Sequence, residues 1–312
     1  MRKKPIAVVI NFCTNESRFL KACIEQARLF AQQIIVCVCD HFFDGTPEDE
    51  TKLDLIYRSF PDCTFVQYPY IPNRISPRLF QKISPAHFWH SLSRLISVHY
   101  LDPVIETVLF LDADEIADGK KFAEWLDNSD YHQHVVLRLA NYWYFREPRY
   151  QALTWEDSVV LVHRRTLHSR LLLHEKERDA IYEFLPSPKR RAVTSCDGKP
   201  MFHHFSWVRT KEEMLKKVRS WGHRNDQPWE SHVETEFSGP FSGVDFVHKY
   251  QYKTVIPPFA IQLDPVQFEP ILSQVVSLKK VSAAQVLKFL RSQNRPLWDK
   301  FCKLFSVNCK KA

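Results

Sequence analysis

The sequence predicts an α/β domain whose central sheet is mostly parallel and flanked by helices, followed by a helical C-terminal region. Three observations carry this. Two β-branched apolar runs, residues 5–12 and 34–39, are separated by a stretch of helical periodicity. A further apolar run, residues 108–111, ends in acids. The 312 residues are 45% hydrophobic and 25% charged, an ordinary globular composition that can bury a substantial core.

The first run is followed by Cys13, Thr14, Asn15 and Glu16, where Thr14 or Asn15 can cap a helix. Phe19, Leu20, Cys23, Ile24, Ala27 and Phe30 then recur on one helical face. The second run follows at once and stops at Asp40. Strand, helix and strand in this succession form a βαβ unit, with parallel strands and a right-handed crossover. Further strands are expected at 64–70, 135–140 and 158–162, and a helix at 87–98. Residues 174–199, with Pro186, Pro188 and the basic run Lys189, Arg190 and Arg191, read as an exposed loop or lid. An apolar stretch at 201–208 leads to a helix from Lys211 to about Gly222, and the remainder, including 283–292, is more helical. The expected organisation is a main domain over 1–210 and a mainly helical extension over 211–312 packed on it.

Charge and cysteines narrow the class. A formal net charge of +7 favours an anionic partner. No helix-turn-helix spacing, RNP-like motif or basic and aromatic stripe is present, so no nucleic acid is expected; phosphates on a small molecule or a lipid surface remain. The eight cysteines are scattered, and Cys37 and Cys39 sit inside an apolar run without a second pair at zinc-site spacing. Reduced core thiols and a cytoplasmic location are the expectation. No apolar run approaches the roughly 20 residues of a membrane-spanning helix, and no secretory leader is read at the start. Near the C-terminus Leu297, Trp298, Phe301, Leu304 and Phe305 share one helical face beside Lys300, Lys303, Lys310 and Lys311. Such a helix either packs on the domain or makes a peripheral contact with the inner face of an anionic membrane. The oligomeric state has no signal in the sequence.

In open α/β sheets ligands bind outside the carboxyl ends of the strands, which singles out Asn11, Asp40, Asp112 and Asp114. The run Val108, Leu109, Phe110 and Leu111 delivers Asp112 and Asp114 at i and i+2, on one side in extended geometry. Such a pair can hold a divalent cation and leave its other positions to water and phosphate oxygens, and that cation would neutralise a departing diphosphate. The alternative is that acids simply solvate a strand end. Tyr142, Trp143, Tyr144, Phe145 and Trp155 gather aromatic rings that either stack on the apolar face of a ligand or pack in the core.

Taken together, Ala7 to Asn11, then Asn15 and Glu16, a helix, the run ending at Asp40, and Leu111, Asp112, Ala113, Asp114 and Glu115 resemble the family 2 glycosyltransferases in order and spacing, over roughly residues 5–165. The resemblance implies a Rossmann-like GT-A fold. It implies a metal-dependent, inverting transfer of a hexosyl or N-acetylhexosaminyl group from a nucleoside-diphosphate sugar, UDP- or GDP-linked, to a hydroxyl of a saccharide, lipid or protein acceptor, with Mn²⁺ or Mg²⁺ as cofactor. It also implies that Asn11, Asn15, Glu16, Asp40 and Asp112 bind the donor, with Asp40 at the base or ribose, and that Asp112 and Asp114 hold ribose, metal and diphosphate. The family's acidic pair with Gly-Ser after the second strand is replaced here by Asp40, His41, Phe42, Phe43, Asp44, Gly45 and Thr46, which leaves the nucleotide open.

Trp155, Glu156 and Asp157, followed by Arg164, are similar to the family's Glu-Asp segment, which precedes a strand and supplies the base that deprotonates the acceptor. Asp157 is the expected base and Glu156 the reserve. His203, His204, Phe205, Ser206 and Trp207 are similar to a later histidine segment of several GT-A enzymes. Neutral imidazole suits Mn²⁺, so His204 is expected to complete the metal site. Arg209, Lys211, Lys216, Lys217 and Arg219 either meet phosphates or form a solvated helix face. Two other functions fit the same elements. A sugar nucleotidyltransferase would need a glycine-rich loop after the first strand, which 11–16 lacks; a non-catalytic glycan- or membrane-binding protein would keep the fold without turnover.

Overall fold

In the computed structural model, which describes residues 5–73, 85–221, 224, 226–261, 267–271 and 273–292, the first βαβ unit forms as expected. Strand β1 (Ile6–Phe12), helix α1 (Ser17–Ala27) and strand β2 (Gln33–Cys39) lead to α2 (Glu50–Ser59), β3 (Thr64–Tyr68), α3 (Pro85–Val98) and β4 (Thr107–Asp112). β1 pairs in parallel with β2 on one side and with β4 on the other, and β2 pairs in parallel with β3.

The chain continues through β5 (Glu115–Ala117), α4 (Gly119–Asn128), β6 (Val136–Phe145), β7 (Glu147–His163), α5 (Ser169–Leu172), α6 (Glu177–Phe184), β8 (Lys189–Val193) and β9 (Phe202–Trp207). Then come α7 (Lys211–Ser220), α8 (Trp229–Glu236), β10 (Tyr252–Thr254), β11 (Ser277–Lys280) and α9 (Ala283–Ser292). Among the described residues all eleven strands belong to one sheet, ordered β11-β3-β2-β1-β4-β7-β6-β9-β5, with β10 on β7 and β8 on β6. This is the mixed α/β architecture that the sequence predicts, a large central sheet flanked by helices.

Strand alternation divides the core. Val8, Ile10, Val36 and Val38 face one side and pack with Phe19, Leu20 and Ile24 of α1 and Leu53 and Ile56 of α2. Ala7, Val9, Ile35 and Cys37 face the other, against Phe88, Trp89, Leu92 and Leu95 of α3 and Val286 and Leu290 of α9. Both faces are covered, so β1 and β2 read as continuous apolar runs rather than alternating ones. Burial pushes the Cys37 thiol up to about 12. A third cluster joins Trp143, Phe145 and Trp207 of the sheet to Met214 and Val218 of α7 and Trp229 and Val233 of α8.

Two expectations are corrected. Residues 174–199 are not an open loop: α6 forms because Ala180 and Ile181 give it a buried stripe, and β8 pairs in parallel with β6. The strands expected at 135–140 and 158–162 are the cores of a longer antiparallel pair, β6 and β7, that runs on through the aromatic segment. Glu156 and Asp157 consequently sit inside a strand, not before one. The chain beyond 210 contributes β10 and β11 to the same sheet. The amphipathic stretch at 297–305 lies outside the described residues, and among those described no helix is long and apolar enough to cross a membrane.

Candidate active site

The strand order reverses between β2 and β4, which lie on either side of β1, and Asn11 and Asp112 face each other in register at the ends of β1 and β4. Neighbouring loops diverge at such a switch point and leave a crevice. Here the crevice is a cavity of about 230 Å³. Asn11, Asn15, Glu16, Asp112, Asp114 and His204 line it, with an apolar wall of Phe42, Phe43, Tyr68 and Trp221. It is smaller than the roughly 300–1,000 Å³ of typical small-molecule clefts; an extended ligand would seat one portion inside and carry the rest through the mouth.

Asp112 ends β4, whereas Asp114 belongs to the turn that joins β4 to β5. The i and i+2 alternation of a strand therefore does not apply to the pair, and each carboxylate has its own partners. Asp112 Oδ1 lies 3.0 Å from Arg94 Nη2 and 3.4 Å from His90 Nε2, and its Oδ2 lies 3.2 Å from Arg178 Nη2. Burial alone would raise this carboxyl, but Arg178, Arg94 and His90 hold it well below the usual carboxylate range. Glu115 is fully buried. It accepts from Arg178, from Ser158 Oγ at 2.6 Å and from the Asp112 N–H at 2.9 Å, so it braces the turn from beneath.

Asp114, only 4% exposed, divides its two oxygens. Oδ1 lies 3.5 Å from His204 Nε2; Oδ2 lies 3.4 Å from Lys217 Nζ and 3.7 Å from Arg209 Nη2. Burial would raise its pKa, but Lys217, His204 and Arg209 together lower it. Burial likewise works against a charged His204, yet Asp114 and Glu115 draw its pKa upward. His204 Nδ1 is buried with no hydrogen-bond partner.

These contacts test the expected metal set. Asp112 does not fit: two arginines occupy its oxygens. Asp114 Oδ1 and His204 Nε2 face each other at 3.5 Å, one hard oxygen and one borderline nitrogen, donor types that suit such a cation. Among the described residues no group of three or more acidic, histidine or cysteine side chains is placed to enclose a metal; a cation held by Asp114 and His204 would keep most of its positions for water and ligand oxygens.

Three expected residues do not line the cavity. The Asp40 carboxylate accepts the Tyr70 N–H at 2.7 Å and lies 2.7 Å from His41 Nδ1, bracing the loop after β2. Asp157 is ringed by Arg191, at 2.9 and 3.0 Å, by Arg138 at 3.1 Å, and by the Ala192 N–H at 3.1 Å. No oxygen of it is left for an acceptor. Glu156 instead accepts from Tyr250 Oη at 3.2 Å and lies 3.7 Å from His248 Nε2. The rings of His248 and His204 both pack edge-on against Trp143, at 4.9 and 4.7 Å, which ties Glu156 to the cavity. Trp155 is edge-on to Tyr142 and 46% exposed.

Sequence reasoning missed the second tier. His90 and Arg94 lie one helical turn apart on α3, polar positions in a helix that otherwise buries Phe88, Trp89, Leu92 and Leu95, and that interruption was the available signal. Glu177 and Arg178 were hidden in the segment read as a loop. His90 Nδ1 lies 2.9 Å from Glu177 Oε1. Burial opposes a charged imidazole here, but Glu177 raises the His90 pKa to about 9.

No protein-family model and no curated protein matches the chain. Among solved structures it is similar to residues 1–349 of TarS from S. aureus, at 13% identity and a TM-score of 0.40 over 75% of this chain and 72% of that one. It is similar to the glycosyltransferase GlyE of Streptococcus pneumoniae, at 12% identity and a TM-score of 0.35 over 75% and 64%. A third similar structure is a 4-diphosphocytidyl-2C-methyl-D-erythritol synthase from Anaerococcus prevotii, at 11% identity and a TM-score of 0.37 over 65% and 90%.

Proposed function

We propose that this protein is a glycosyltransferase that seats a nucleoside-diphosphate sugar in the switch-point cavity and passes the sugar to an acceptor hydroxyl, with inversion. The observation that supports this reading is the arrangement around Asp114. In the turn that follows a parallel strand, one carboxylate faces a histidine nitrogen on one side and a lysine on the other, beside a cavity with aromatic rings in its wall. A nucleoside suits the aromatic wall, and a diphosphate suits the Lys217 ammonium beside Asp114.

Asp114 and His204 would hold a divalent cation, Mn²⁺ or Mg²⁺, which when bound supplies charge neutralisation to the diphosphate leaving group. The chain's own residues perform the rest. Asn11 and Asn15 offer amide donors and acceptors at the cavity wall. Glu16 is held by Arg209 and stands 3.6 Å from Lys217 Nζ. Asp112 is kept ionised by its arginines and can accept from a ribose hydroxyl. Glu156 takes the proton from the acceptor hydroxyl, with Tyr250 and His248 orienting it; Asp157 is left a structural role. Most of the rate would come from positioning and charge stabilisation.

A thermal-shift panel of nucleotides tests the reading, because ligands that bind the native state raise its apparent stability. UDP or GDP is expected to raise Tm with Mn²⁺ present, and the response is expected to vanish in Asp114→Ala. No response to any nucleoside diphosphate, with or without metal, overturns it.

A further inference from the structure

Helix α7 turns one stripe inward: Met214, Lys217 and Val218, continued by Trp221 just past its end, at the i, i+3, i+4, i+7 spacing of a buried helical face. Met214 and Val218 are apolar, as that face demands. Lys217 is not, and it is only 7% exposed. An ammonium at a position that a methionine would fill without desolvation cost is the kind of local conflict found where chemistry outweighs packing.

Nζ donates to Ser206 Oγ at 2.9 Å and, at greater length, to Asp114 Oδ2 at 3.4 Å, with Glu16 Oε1 at 3.6 Å. It has three donors and lines the cavity. The backbone that carries it is firmly held. Arg209, with a wholly buried side chain, donates to the Asn15 carbonyl at 2.8 Å and pairs with Glu16. Arg18 pairs with Glu213, Asn15 Nδ2 donates to Ser220 Oγ at 3.3 Å, and Thr210 and Glu213 form a capping box. These contacts fasten α7 to the loop after β1, so Lys217 stays at the cavity's acidic end.

We infer that Lys217 is a diphosphate-binding residue of the donor site: its ammonium exchanges its longer contacts with Asp114 and Glu16 for a phosphoryl oxygen of the nucleoside diphosphate. This rests on the donor reading above. The bound diphosphate would then lie between two cationic centres, Lys217 on one oxygen of Asp114 and the His204 side on the other.

Isothermal titration calorimetry on the full chain, in Mg²⁺, with UDP, UMP, GDP and GMP tests this. The wild-type protein is expected to prefer one diphosphate over its monophosphate. Lys217→Met is expected to lose about tenfold or more of the diphosphate affinity and to keep its monophosphate affinity, so that the ratio collapses. Lys217→Arg, which keeps the charge, is expected to retain most of the preference, and it supplies the same comparison if the methionine variant does not fold. An unchanged ratio in Lys217→Met, or a loss as large in Lys217→Arg, overturns the assignment. A wild-type protein that binds none of the four nucleotides overturns the donor reading itself.

Discussion

Glu156 and Asp157 are adjacent in β7, yet their carboxylates share no partner: Glu156 meets Tyr250 and His248, and Asp157 meets Arg138, Arg191 and the Ala192 N–H. β7 carries an extra residue here, three steps from Glu156 to Val159 against two from Asn141 to Leu139 on β6. Bulges of this kind re-aim side chains next to sites. Asp157→Asn is therefore expected to cost about 2 kcal/mol of stability, through the charge lost opposite Arg138, with nucleotide affinity unchanged. Glu156→Gln is expected to leave the denaturation midpoint nearly in place and to lower turnover by about 10²–10⁴. Urea titration and product assays on both variants decide it; the opposite pattern would return the base to Asp157.

Arg178 joins α6 to the strand tip by holding Asp112 and the fully buried Glu115 together. Its removal takes from the buried Glu115 its arginine partner, which costs about 3–5 kcal/mol. Arg178→Met is expected to fall by that order in denaturant unfolding. Adding Glu115→Gln removes the buried charge, so the double variant is expected to recover part of the loss; simple additivity of the two substitutions would refute the coupling.

The His90 pKa is raised in the folded chain to about 9, against about 6.5 for a free imidazole. The folded state therefore holds this proton more tightly than the unfolded state does. Its contribution is fully present below about pH 6.5 and is lost as pH climbs through about 9. Between those limits the wild-type Tm is expected to fall more steeply than that of His90→Gln. Parallel curves from pH 6 to 9.5 would show that the His90–Glu177 contact adds no pH-dependent stability.

Gly119 opens α4 against α1. A Cβ there would fall on the Gln26 carbonyl oxygen and within 2.9 Å of Leu29 Cδ1. Leu29 can yield, but a backbone carbonyl cannot without moving the helix, so Gly119→Ala is expected to destabilise by about 1–3 kcal/mol. Differential scanning calorimetry checks this, and an unchanged Tm would mean that α1 and α4 separate freely.

The sequence by itself determined the βαβ start, the class of sheet and the residues at its strand tips. Apolar runs and helical periodicity report which faces are buried, and burial is local enough to be legible one segment at a time. That is why Asn11, Asp40, Asp112 and Asp114 could be read from the strand ends, whereas Asn15, Glu16 and His204 rested on the family resemblance; all of these but Asp40 line one cavity. What the tertiary structure alone decided is how each carboxylate is used. Asp112 and Asp157 are each paired with arginines and Asp114 faces a histidine and a lysine, because Arg94, Arg178, Arg191 and Lys217 arrive from elements distant in sequence. Electrostatic partnership depends on distances of a few ångströms between such elements, and no spacing along the chain encodes those distances.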